Sequence, residues 1–259
     1  MSDNTTNSQS QTNDEPPRRG VEALKHHVIA HKVDVALWAT RVFALLFAFF
    51  YFIPIVGNPY NAYYKVLVAN AATSALRLHQ RLPRVQFTRE FLSQLLLEDS
   101  CHYLFYSLIF LHVSPVTLVL IPVVLFAVLH SASYSLTLLD TLGQNSWWGA
   151  RLLISLVEFQ SRNILRGVSF AEIILMPLTV VLVLMGRAGL LTPFIYYHFL
   201  MQRYTSRRNP YTNNMFRELR LLFESTAAKP SMPGVLRKAL LGIVAFTCRL
   251  APPQYAAAQ

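Results

Sequence analysis

The chain has 259 residues, of which 53% are hydrophobic and 14% charged, and a net charge of +10. A soluble domain carries about a quarter charged residues, so the composition argues against one and points to a lipid environment. Two cysteines, Cys101 and Cys248, lie far apart and exclude a disulfide-scaffold protein.

Residues 1–20, MSDNTTNSQSQTNDEPPRRG, are polar and lack the apolar core of a cleavable signal. They bury too little apolar surface to offset ordering entropy, so a disordered tail is expected. In HHVIAHK, His27 and His31 stand four apart, a spacing two zinc ligands can use. The neighbourhood lacks the further ligands of a complete site, and the expectation is a wet helix face with no metal or cofactor. The first apolar run, 35–56, carries one charge, Arg41, and serves as an uncleaved anchor.

GNPYN (57–61) reads as a turn. After Pro83 the chain restarts at Thr88, a good N-cap, with Phe87 and Leu92 spaced as a hydrophobic staple. A helix is expected over 88–112. It contains LLLEDSCHYLFYSLIF (95–110), where Glu98, Asp99, Cys101 and His102 crowd together. On a helix Glu98 and His102 are neighbours, but Cys101 and His102 point about 100° apart. A thiol and imidazole so placed do not share a proton as a nucleophile pair must. The stretch reads as the polar head of a membrane helix, its carboxylates pairing with Arg84 or Arg89. No catalytic residue is assigned, and the chain is not expected to be an enzyme.

The second apolar run, 102–130, has no Asp, Glu, Lys or Arg. As one helix it extends roughly 43 Å, beyond a ~30 Å hydrocarbon core. Ser114-Pro115 marks a break near its middle. The third run, 173–200, is interrupted at Gly186-Arg187-Ala188-Gly189, where proline's counterpart is a glycine-tolerated bend. Each run is a kinked span or a re-entrant hairpin, and three crossings is the preferred reading. Between them DTLGQNSWWG (140–149) is a loop whose Trp147 and Trp148 suit a membrane interface. Arg41 and Arg187 lie inside apolar runs, which raises the alternative of a small transporter or channel subunit. Arg41 is near enough to the start of its run to snorkel.

Residues 201–259 hold nine Lys and Arg against Glu218 and Glu224. Such a basic tail beside membrane segments meets anionic headgroups, and no motif supports nucleic-acid binding. Met215, Phe216, Leu219, Leu222 and Phe223 make a helical stripe. Over 235–250, Leu236, Ala239, Leu240, Ile243 and Phe246 cluster opposite Arg237, Lys238 and Arg249, the pattern of an interfacial helix. Packing on the protein's own helices is the other reading. Cys248 would lie near the headgroups as a candidate palmitoylation site. With three crossings, 57–100 and 201–259 share a side with 14 Lys and Arg, against seven in 1–34 and 139–169. The positive-inside rule then puts the carboxy terminus in the cytosol and the amino terminus in the lumen. The organisation expected is a polar tail (1–20), an all-α multi-pass membrane domain (21–200) and a basic cytosolic tail (201–259).

Three blocks resemble the transmembrane protein 33 family: ANAATSALRLHQRLPRVQFTREFLSQLLLEDSCHYLFYSLIF (69–110), PFIYYHFLMQRYTSRRNPYTNNMFRELR (193–220) and AFTCRLAP (245–252). The resemblance implies a non-enzymatic protein of the endoplasmic reticulum membrane and nuclear envelope. It implies roles in the tubular network, in nuclear pore distribution and in the reticulum stress response. The implied partners are the bilayer and reticulon-type or nuclear pore membrane proteins, with no small-molecule substrate. The family's basic amphipathic segment, linked to curved membranes in fungal members, maps onto 235–250, here interrupted by Gly242.

Overall fold

A computed structural model describes residues 20–252 apart from 56, 83–87, 145 and 207. Most of the polar tail, Arg84 and the staple residue Phe87 therefore lie outside the described residues. The described chain forms eleven α-helices and no strand.

The helices pair into three hairpins. The first opens with α1 (Val21–Ala30) and α2 (Lys32–Phe52), which stops just before Pro54, because a residue preceding proline is driven out of the helical region. α3 (Pro59–Arg81) begins with proline at its first position, and the Asn58 side chain accepts from the Tyr60 amide. It returns along α2: the Thr73 hydroxyl donates to that of Thr40 at 2.9 Å, and Gln80 donates to Asp34 at 3.0 Å.

Thr88 caps α4 (Arg89–Leu97) as expected, accepting from the Phe91 amide. The single helix expected over 88–112 is broken at Glu98, which sits extended at φ −85°, ψ 122° before α5 (Asp99–Leu111) begins. The second apolar run is likewise two helices. α5 ends ahead of Ser114-Pro115 and α6 (Thr117–Leu142) runs back, with the Tyr106 hydroxyl donating to the Val119 carbonyl at 2.7 Å. The loop expected over 140–149 passes into an unforeseen helix, α7 (Trp148–Phe159). α8 (Ser161–Leu184) and α9 (Thr192–Thr205) form the third hairpin, turning through Gly186 at φ +68°, a conformation that costs glycine nothing. α10 (Tyr211–Ala227) and α11 (Gly234–Leu250) follow.

All three hairpin turns meet at one end. The Ser114 amide donates to the Arg187 carbonyl at 3.2 Å, and Tyr51 bonds Thr117 through their hydroxyls at 2.8 Å. The opposite, open end gathers the rest: the Gly20 amide reaches the Thr141 carbonyl at 3.1 Å, Gln80 reaches Asp34, and Arg203 reaches Asp99 at 3.0 Å. The two-sided arrangement expected from three crossings would instead separate these segments. Residues 20–34, 81–82, 88–99, 139–144, 146–147, 203–206 and 208–210 share one end, because the breaks at Ser114-Pro115 and Gly186 reverse the chain.

α2, α6 and α8 are long and apolar enough to cross a membrane. At 1.5 Å per residue they measure about 31, 39 and 36 Å, against about 20 Å for α5 and α9. The short helices are packed into the core, where an aromatic cluster of Tyr103, Tyr106, Phe110, Tyr196 and Phe199 meets Leu120, Val123 and Leu175. Ring centroids of Tyr106 and Phe110 are 4.8 Å apart, and those of Tyr106 and Phe199 5.2 Å. Such pairs stabilise by about 0.5–1.5 kcal/mol each beyond the area they bury.

Candidate functional site

Two features dominate the open end: a buried ion network and a set of helices with uncovered apolar faces. The network begins at Glu172, fully buried on α8. Its carboxylate accepts from Arg203 Nε on α9 at 3.1 and 3.3 Å, from the Tyr103 hydroxyl on α5, and from the Thr212 hydroxyl on α10 at 3.2 Å. Arg203, also fully buried, passes its Nη1 to Asp99, which accepts a second bond from Ser206 at 3.3 Å. Its guanidinium also lies 5.3 Å from the Tyr103 ring centre, within cation–π range. A buried charge is tolerable only when paired and hydrogen-bonded, and here one glutamate is satisfied from three other helices.

Beside it, Glu98 takes hydrogen bonds from Arg81 at the end of α3 and from Arg208 after α9. Leaving the helix at Glu98 is what frees its carboxylate to reach both. Burial disfavours its charge, but the two arginines outweigh that and hold the carboxyl below its ordinary range. The expected pairing with Arg84 or Arg89 is thus replaced, as far as the described residues go, by Arg81 and Arg208 for Glu98 and by Arg203 for Asp99. His102 is buried, with Nε2 bonded to the Leu96 carbonyl at 2.7 Å and Nδ1 at 3.8 Å from Asp99. Among the described residues Cys101 makes no hydrogen bond to it. The arrangement ties helices together and assembles no nucleophile and base.

Sequence reasoning passed over Glu172 and Arg203. The available signal was a lone acid at the mouth of an apolar run, which requires a partner somewhere in the fold. His27 and His31 lie with their rings tilted and their centres 4.6 Å apart, His27 bonds Tyr134 at 3.2 Å, and His31 lies 3.8 Å from Asp34. No group of three metal-ligating side chains forms among the described residues. Arg41 and Arg187 are at opposite ends of the molecule: Arg41 faces a cavity with Arg77 and His130, while Arg187 donates to the Pro115 carbonyl in the turns. They do not line one path.

The uncovered apolar faces belong to α4, α7, α10 and α11. α7 exposes Trp147, Trp148, Leu152 and Phe159, and α4 exposes Leu92 and Leu97. On α10 Met215 is buried and Phe216 packs on Tyr204, whereas Leu222 of the expected stripe is exposed. α10 is fastened to the opening turns of α8 by Arg166–Glu218 at 2.7 Å. α11 lies against α10 and buries no residue fully. Leu240 is half-buried, while Leu236, Ile243 and Phe246 are exposed, as are Arg237, Lys238, Cys248 and Arg249.

The chain matches the family model described as Transmembrane protein 33/Nucleoporin POM33 over residues 16–253. It is 55% identical over 237 residues to a Drosophila melanogaster protein named Krueppel homolog 2, covering 91% of this chain and 85% of that one. It is 47% identical over 227 residues to Transmembrane protein 33 of Rattus norvegicus, covering 87% and 92%. To the Caenorhabditis elegans Transmembrane protein 33 homolog it is 36% identical over 237 residues, covering 89% and 86%. No solved structure gives a significant match.

Proposed function

The chain belongs to the Transmembrane protein 33/Nucleoporin POM33 family of membrane proteins, and from that membership and its one-sided build we propose a non-enzymatic organiser of reticulum tubules and the nuclear envelope. Nuclear pore distribution and the reticulum stress response are the further roles in this reading. The observation that carries it is the segregation of the helices. Tight turns close one end, and α4, α7 and the α10–α11 pair carry uncovered apolar side chains on the open-end half.

In this reading the open end faces the cytosol. Among the described Lys and Arg, only Lys65 and Arg187 lie in the turns or the two helical turns beside them, and basic residues are held on the cytosolic side. Both described ends of the chain are then cytosolic. Amphipathic helices lying at the headgroup level add area to the cytosolic leaflet alone, while the hairpins hold the molecule in place. A body wider on the cytosolic side favours tubules and pore rims, which curve that way. Leu236, Ile243 and Phe246 of α11 enter the leaflet, Arg237, Lys238 and Arg249 meet anionic headgroups, and Leu240 keeps the helix on α10. An acyl chain on Cys248 would add to the attachment. Reticulon-type or nuclear pore membrane proteins are the proposed partners.

The test reconstitutes the full chain into phosphatidylcholine vesicles containing phosphatidylserine and follows vesicle shape by electron microscopy as protein content rises. Tubules or narrower vesicles are expected. Unchanged diameters, together with solute flux above that of protein-free vesicles, would replace the organiser with a transporter.

A further inference from the structure

A cavity of about 420 Å³ opens between α2, α3 and α6, lined by Asp34, Arg41, Arg77, Arg81, His130 and Tyr134 among others. That volume is within the range of small-ligand sites. Three guanidiniums converge on it from two helices, with one carboxylate for company. The carboxylate is already engaged: Asp34 accepts from Gln80 at 3.0 Å and lies 3.8 Å from His31. Arg81 is likewise engaged by Glu98. Arg41 and Arg77 make no hydrogen bond or ion pair to any described residue. Both are partly withdrawn from solvent, and a pair of like charges in that setting is unfavourable until an anion joins them.

We propose that this cavity binds a phosphomonoester, taken between Arg41 and Arg77. The chemistry matches. A phosphomonoester brings close to two negative charges, where a carboxylate brings one. Its oxygens suit the planar forks of two guanidiniums. Tyr134 supplies a further polar group at the wall, and Ser133 and Thr137 stand beside it. The cavity is lined by α2, α3 and α6 and includes Asp34, Gln80 and Arg81 of the open end, where a lipid phosphate would stand, and basic pockets between membrane helices hold such headgroups. A soluble phosphate offers the same chemistry from the aqueous side.

The full chain is reconstituted with phosphatidylcholine alone or with added phosphatidic acid, re-extracted in a neutral detergent, and its retained lipid counted by mass spectrometry. Phosphatidic acid is expected to be retained by the wild type. Arg41→Gln with Arg77→Gln should lower retention at least tenfold, since each removes a charge-assisted donor. Asp34→Asn should raise it several-fold, because Asp34 is the carboxylate among the lining residues and its charge repels an incoming phosphate. This second variant keeps the proposal testable should the arginine pair prove necessary for folding. Arg217→Gln, on an exposed face of α10, should change nothing. Inorganic phosphate is the second probe: if it displaces the lipid at millimolar concentration the site takes free phosphate, and if not it takes a lipid headgroup. Equal retention by wild type and all variants, or an equal fall in Arg217→Gln, overturns the proposal.

Discussion

Glu172 is the residue on which most helices converge, and its loss should be felt across the fold. Glu172→Gln leaves Arg203 buried against Asp99 alone. Removing one partner of a buried ion pair costs about 3–5 kcal/mol, so a marked fall in the melting temperature of the detergent-solubilised chain is expected. A melting curve matching wild type would show that water compensates Arg203. Glu98 makes a different prediction. Its folded-state pKa is depressed, so its contribution to stability is present above the unfolded value, near 4.5, and is lost as pH falls through the lower folded value. Melting temperature should therefore drop steeply on acidification, and Glu98→Gln should flatten that drop. Coincident pH profiles for the two proteins would remove Glu98 from the account. At this scale the sequence was partly legible. The crowding of Glu98, Asp99 and His102 announced a polar cluster, but their partners at 81, 172, 203 and 208 are distant in the chain and no local spacing reveals them.

At the scale of the element, breaks were easier to read than directions. Proline at 115 and glycine at 186 placed both interruptions, since they act through the local backbone. Whether the chain then continues or reverses depends on tertiary contacts such as Tyr106 with Val119, and no residue near the break specifies that. α7 went unread because its apolar positions follow directly on a loop rich in turn residues. Acceptor sites for glycosylation separate the two arrangements. A site flanked by a flexible spacer in 185–191 should be modified, and one in 140–149 should not. Modification of 140–149 would restore three crossings with ends on opposite sides. For α11, an environment-sensitive dye on exposed Cys248 of the reconstituted full chain should blue-shift in anionic vesicles. Fully burying a side chain such as Ile243 or Phe246 is worth about 1.5–3 kcal/mol, so Ile243→Glu with Phe246→Glu should abolish the shift. A spectrum insensitive to both lipid and mutation would leave α11 packed on its own protein.

For the whole molecule, composition alone identified a membrane protein, because apolar runs of this length have few soluble uses. The side on which each segment lies is less legible, since counting basic residues presumes knowing which segments share a side. The three turns at 53–58, 112–116 and 185–191 carry one Lys or Arg between them, Arg187, and are the only described connections at their end. This has a consequence for how the protein is made. In a polytopic chain with large domains on both faces, polar segments must be pulled through the bilayer one after another. In the proposed arrangement each pair of helices inserts as a closed loop with a short tip, and the guanidinium of Arg187 is the one Lys or Arg charge among the three described tips that has to travel. In that arrangement biogenesis proceeds one hairpin at a time as each pair of helices leaves the ribosome, with the open-end segments left on the side where they were synthesised.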